Sequence, residues 1–260
     1  MENNKEQIFK ELLDKQSDIV KRFMENDNKK EKHYHGGHRK RLDKKALENF
    51  DALAPHEYLE ILLFNVIPRA NTNELAHELI DKFGSLKGVL NADINELTAV
   101  KGIGYRTAMF LSLQNRFAGL VTRCQLDYKV LDTAEKIRKY ITTFFIGRET
   151  ECAYVFMLDS RNGLKGVKFL SDGITDETYI YADKVCDLAL SLKAKKVIVA
   201  HNHPSGVVEA SDGDISVSKE LEIKLNRLNI KLADSVIVSD EDYFSLRANG
   251  YLESKLIWGS

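Results

Sequence analysis

Lys195-Lys196-Val197-Ile198-Val199-Ala200-His201-Asn202-His203-Pro204-Ser205-Gly206 decides how this 260-residue chain is read. The β-branched run predicts a buried strand, and alternation along it aims His201 and His203 to one side and Asn202 to the other. Pro204 ends the ladder by removing a backbone donor, and Ser205-Gly206 permit a turn. Ser211-Asp212-Gly213-Asp214 reads as the capped start of a helix running to about Leu228, with Asp214 in its first turn. Two imidazoles and one carboxylate form an N, N, O ligand set for Zn²⁺ that leaves the fourth tetrahedral position to water, as catalytic sites do. Read without a metal, the same His-X-His is a hydrogen-bonded polar pair at a strand end. Delivery of the pair to the carboxyl edge of a strand, where α/β sheets place their sites, favours the ligand reading.

The pattern His201-X-His203-Pro204, Ser211, Asp214 resembles the metal signature of the JAB/MPN (JAMM) metalloprotease family, and its His-Asn-His-Pro-Ser-Gly form is similar to the RadC branch. The resemblance continues through Phe156-Met157-Leu158-Asp159-Ser160-Arg161-Asn162 upstream. Downstream it runs through Leu232-Ala233-Asp234-Ser235-Val236-Ile237-Val238 and Asp242-Tyr243-Phe244-Ser245. It implies a cytidine-deaminase-like α/β/α domain over residues 131–257, with one zinc ion held by His201, His203 and Asp214. It also implies a protein or peptide substrate whose carbonyl oxyanion meets the Ser211 hydroxyl. Zinc lowers the pKa of water toward about 7 and polarises a carbonyl, and a hydroxyl donor steadies the oxyanion. Ser211 has a rival role as the helix N-cap, and its spacing from Asp214 suits both.

Two positions depart from the family pattern. The resemblance implies a glutamate general acid/base on the strand after Leu158-Asp159, and Lys168 stands at that position. An ammonium repels the metal and accepts no proton unless its pKa is strongly depressed. Asp172, further along, is the candidate replacement, with a shorter side chain to reach the water. Ser235 stands where the family commonly has histidine. Three functions follow as expectations: a zinc metallohydrolase for a peptide or isopeptide bond that lacks its usual base, a metal-binding DNA-associated adaptor in DNA repair or recombination, and a metal-dependent nuclease. The nuclease reading is short of the carboxylate cluster that two-metal phosphodiester chemistry prefers.

Composition fits a two-domain protein: 43% hydrophobic residues suffice for ordinary cores, and 30% are charged. A formal net charge of -1 gives no global attraction to nucleic acid or to acidic membranes, so such binding needs a local patch. No run approaches a membrane-spanning apolar stretch, and the start Met1-Glu2-Asn3-Asn4-Lys5 lacks a signal-peptide plan, so a cytoplasmic home without membrane partners is expected. Cys124, Cys152 and Cys186 have neither a metal spacing nor a disulfide framework and read as small hydrophobes.

Residues 1–35 read as a charged amphipathic arm, and the histidines at 33, 35 and 38 as a surface loop leading into a basic helix carrying Arg39, Lys40, Arg41, Lys44 and Lys45. Residues 36–120 read as an all-α domain. Apolar faces at Leu59 to Val66 and Leu75 to Phe83 stop at Pro68 and Gly84, and Ile94 to Val100 leads into Lys101-Gly102-Ile103-Gly104, after which Tyr105 to Phe117 is helical. That arrangement resembles a helix-hairpin-helix motif, as do the Gly37-His38-Arg39 and Ile67-Pro68-Arg69 runs the N-terminal part of RadC-like proteins. The resemblance implies DNA phosphate contact at Lys101, Gly102, Gly104, Arg106 and Thr107. A connector is expected from Val121 to Val130, then a helix from Thr133 to Phe145, and then alternating strands and helices.

Overall fold

The computed structural model describes residues 36–68, 71–172, 178–239 and 242–253. The 1–35 arm, His33, His35 and Trp258 lie outside the described residues. The chain divides into two units between Ser112 and Leu113.

The first unit is helical. It comprises α1 (Gly36–Glu48), a 3-10 turn (Phe50–Ala52), α2 (Pro55–Val66), α3 (Thr72–Phe83), α4 (Leu86–Asn91), α5 (Ile94–Thr98) and the start of α6 (Tyr105–Leu126). Pro at the first position opens α2, and the side chains of Asn71, Ser85 and Asp93 cap α3, α4 and α5. Gly84 ends α3 in the left-handed region. Leu59, Leu63, Leu79, Val89, Leu97 and Leu111 fill the core. Glu60 is buried among them, with its carboxylate bonded to His38 Nε2 at 3.0 Å.

The second unit begins inside α6, which runs to Leu126 where a connector from Val121 was expected. Tertiary contact extends the helix beyond its own periodicity. The Arg123 guanidinium lies 3.8 Å from the Phe144 ring centroid, and Gly119 sits against the Thr143 carbonyl and Ile146. Then follow α7 (Ala134–Thr142), β1 (Cys152–Leu158), β2 (Leu164–Asp172), α8 (Thr178–Ser191), β3 (Lys196–Asn202), α9 (Asp212–Arg227), β4 (Lys231–Val238) and β5 (Tyr243–Ser245). Thr133 caps α7, its Oγ1 accepting from Lys136 N at 3.2 Å.

The five strands form one sheet in the order β2-β1-β3-β4-β5. Only β3 and β4 run parallel among these pairs. Ile137 and Ile141 of α7, with Phe145, cover Tyr154, Phe156, Ile198, Ala200 and Val236 on one face. Ala182, Val185 and Ala189 of α8 and Leu221 and Leu225 of α9 cover Val155, Met157, Val197, Val199 and Ile237 on the other. With both faces covered, β1 is buried along its whole length and reads as a continuous apolar run. The domain is thus a mixed α/β layering with helices on both sides of the sheet.

β4 starts at Lys231, ahead of the apolar run Val236-Ile237-Val238. Its middle carries buried Asp234 and Ser235, whose polarity hides the strand from pattern reading. Asp234 accepts from Ser245 Oγ at 2.6 Å and from Arg247 N at 3.2 Å, and Ser218 Oγ donates to Ser235 Oγ at 2.8 Å. Cys152 and Cys186 are buried as expected, whereas Cys124 is exposed on α6. Among the described residues no helix is long and apolar enough to cross a membrane.

Gly147 links α7 to β1 with φ of 73°, and an added Cβ would lie 2.8 Å from Asn115 Cβ and 3.2 Å from Arg116 N. Gly147→Ala is therefore expected to lower stability by about 2 kcal/mol, read as a reduced urea midpoint at unchanged slope.

Candidate metal centre

β3 carries His201 to its last turn of ladder, and His203 N extends the pairing by donating to Val238 O at 2.9 Å. The two imidazoles converge, with Nε2 atoms 3.1 Å apart. Asp214, in the first turn of α9, completes the group: Oδ1 lies 3.2 Å from His201 Nε2 and Oδ2 lies 3.8 Å from His203 Nε2. The Asp214 and His201 side chains are 8% and 9% exposed, so three polar atoms meet in a largely dry corner. His203 Nδ1 is 2.8 Å from the Val207 carbonyl. A proton on Nδ1 makes that bond and leaves Nε2 with its lone pair directed at the group.

Burial alone would push the Asp214 carboxyl up. Hydrogen bonds from His201 and Ser211 outweigh it and hold the group well below the usual carboxylate range. Ser211 is the N-cap of α9: its Oγ accepts from Asp214 N at 3.1 Å and donates to Asp214 Oδ2 at 2.6 Å, while its own N–H donates to the same carboxylate at 2.8 Å. The serine therefore orients the carboxylate.

Sequence reading missed a second carboxylate. In the β1–β3 ladder Ala153 stands opposite His201, and continuing that register sets Glu151 beside His203. Glu151, His201 and His203 each present a ligand atom within 4.8 Å of the others, a grouping able to hold a metal ion. The segment bearing Glu151 is clamped from the far side of β3. Asn202 Oδ1 accepts from Cys152 N at 2.8 Å, and its Nδ2 donates to Thr150 O at 3.1 Å and to Arg148 O at 3.3 Å. The available signal was a glutamate at the mouth of an apolar strand. Its partner, the register, is a property of the sheet and is absent from the local sequence.

Lys168 does not occupy the site. It is exposed and pairs with Val155, which pairs with Val199, two residues short of His201 and two strands away, a lateral separation of about 10 Å. The backbone of Asp172 lies opposite Cys152 at the end of β2, and its side chain lies outside the described residues. Ser235 is buried opposite Val199 in the β3–β4 ladder and bonded to Ser218.

In the first unit, Lys101, Gly102, Gly104 and Arg106 are exposed around the turn between α5 and α6, and Gly102 has φ of 95°. Thr107 is 6% exposed and belongs to the packing, which removes its side chain from the expected phosphate contacts. Part of the basic charge of α1 is engaged within the protein: Lys45 pairs with Glu57 at 2.6 Å and Arg39 donates to Ile67 O at 2.9 Å.

A family model described as the RadC-like JAB domain matches residues 131–251. The chain is 31% identical over 225 residues to UPF0758 protein FN0909 of Fusobacterium nucleatum subsp. nucleatum, covering 83% of this chain and 97% of that protein. It is 34% identical over 217 residues to UPF0758 protein SPO0054 of Ruegeria pomeroyi, with the same coverage of each. The His-Asn-His-Pro-Ser-Gly loop, the sheet that presents it and these nearly full-length relatives agree: the chain belongs to the RadC family.

Proposed function

We propose that this protein is a metal-dependent hydrolase in which His201, His203 and Asp214 hold one zinc ion and Glu151 is the general base toward a peptide or isopeptide bond. The convergence of two Nε2 atoms and a carboxylate, with a second carboxylate alongside, carries the reading. The donor set suits zinc: bonds of about 2.0–2.1 Å in a tetrahedron separate ligand atoms by about 3.3 Å, against 3.1 and 3.2 Å between His201 Nε2 and its two neighbours. When bound, zinc supplies Lewis acidity, acidifying a water and polarising a carbonyl.

The chain's own residues do the rest. Glu151 takes the proton of the attacking water on a carboxylate oxygen and returns it to the leaving nitrogen. Asn202 fixes the backbone on both sides of Glu151, so the carboxylate arrives pre-positioned. Ser211 holds Asp214 as a ligand; it reaches an oxyanion only by turning its hydroxyl off Oδ2. A carboxylate beside the histidines, at Glu151, favours an enzyme over an adaptor that keeps metal for structure.

The turn at Lys101-Gly102-Ile103-Gly104 supports a second, compatible reading, a helix-hairpin-helix contact with DNA phosphates by the exposed amides and by Lys101 and Arg106. The Lys101→Ala/Arg106→Ala protein is expected to bind duplex DNA more weakly. The slope of log affinity against log salt should be shallower by about 2, read by fluorescence anisotropy; an unchanged slope would exclude this surface.

Elemental analysis of tag-free protein is expected to find one zinc per chain, lost in His203→Ala. On fluorogenic peptide and isopeptide substrates, Glu151→Gln is expected to keep the zinc and lose about 100-fold or more in turnover. Asn202→Ala should also keep the zinc, lose turnover, and show faster amide exchange at Cys152. Zinc-loaded wild-type protein as inactive as Glu151→Gln on every substrate would leave the adaptor reading in place.

A further inference from the structure

Tyr105, the first residue of α6, is 65% exposed, the most of any large hydrophobic residue among those described. Its ring meets no second ring, cation or hydrogen-bond partner among the described residues. A single exposed apolar side chain is ordinary, but the surroundings of this one are not. Lys101, Gly102, Gly104 and Arg106 are exposed next to it in the chain and form a surface of open backbone and positive charge. No aspartate or glutamate occurs from Leu97 to Leu126, in a chain that has 39 of them, so the stretch is locally cationic although the whole chain stands at -1.

Gly104 adds a second sign. Its carbonyl accepts from Ala108 N at 3.0 Å, which puts it at the capping position of α6, where Ser, Asp or Asn would hold the helix better. Its φ lies outside the left-handed region, and a Cβ built there would meet nothing within 4 Å. Neither backbone conformation nor packing among the described residues therefore calls for glycine. What glycine offers here is close approach to the backbone from outside the chain.

We propose that Tyr105 is a stacking platform for an unpaired nucleobase, so that this surface gains affinity for DNA strands with accessible bases beyond what their phosphates supply. The assignment rests on the helix-hairpin-helix reading above and adds the ligand class to it. Within a duplex each base face is covered by its neighbours, and contacts to phosphate and sugar carry no base information. An unpaired base turns a face outward, and stacking on an aromatic ring holds it with little regard to sequence. Lys101 and Arg106 then meet the flanking phosphates.

Fluorescence anisotropy on the full-length protein compares three labelled probes: oligothymidylate, a strand of equal length that is abasic throughout and keeps every phosphate, and a duplex. Wild type is expected to bind oligothymidylate about tenfold tighter than the abasic strand. Tyr105→Ala should erase that difference and leave duplex affinity and the salt slope unchanged, because stacking releases no counterions. Tyr105→Phe, which keeps the ring, should keep the difference, and thermal melting checks that both variants fold. Equal binding of the two single strands by wild type, or a Tyr105→Ala loss shared by all three probes, overturns the platform. Failure of the phosphate reading shows separately, as a salt slope that Lys101→Ala/Arg106→Ala leaves unchanged, and the tyrosine comparison then still decides whether bases stack. No binding of any probe at low salt overturns both.

Discussion

The antiparallel register of β1 against β3, with Ala153 opposite His201, is the constraint on which the candidate site depends. It sets Glu151 beside His203 and places Cys152 N where Asn202 Oδ1 accepts it. A slip of one residue would turn every side chain of β1 to the opposite face of the sheet. Because both faces are covered by packed helices, that slip would also exchange the residues of two filled cores. Packing therefore enforces the register, and the register positions the chemistry.

Charge is distributed to match. Asp214 arrives from α9, where the capping box that starts the helix also aims the carboxylate, so one set of hydrogen bonds serves folding and ligand geometry together. Its charged form is strongly favoured despite burial, because His201 and Ser211 face it. Glu151 immediately precedes β1, the strand beside β3, and is fastened through the backbone on either side of it by Asn202. The middle residue of His-Asn-His thus acts on the face opposite the two imidazoles, which is what period-two alternation demands.

Much of this was legible in the sequence because it is local. The strand into His201, the helix capped at Ser211, and the meeting of His201, His203 and Asp214 all follow from spacings within one short stretch of chain. What was not legible is non-local. Glu151 is far from the histidines in sequence, and only the ladder brings it there. The resemblance aligned Lys168 with the family's glutamate along the chain, and an alignment along the chain carries no strand register. The length of α6 and the start of β4 were missed for the same reason: Arg123 on Phe144 and the buried Asp234 network stabilise them through contacts that no window of sequence contains.

The central claim, that two histidines and Asp214 hold a metal with Glu151 beside it, is tested most directly by diffraction from zinc-soaked crystals at the zinc absorption edge. The account predicts one anomalous peak per chain, bonded to His201 Nε2, His203 Nε2 and an Asp214 oxygen, with Glu151 outside the ligand set and hydrogen-bonded to the remaining water ligand. A peak ligated by Glu151 in place of Asp214, or no peak at this group in crystals that bind zinc elsewhere, would contradict it.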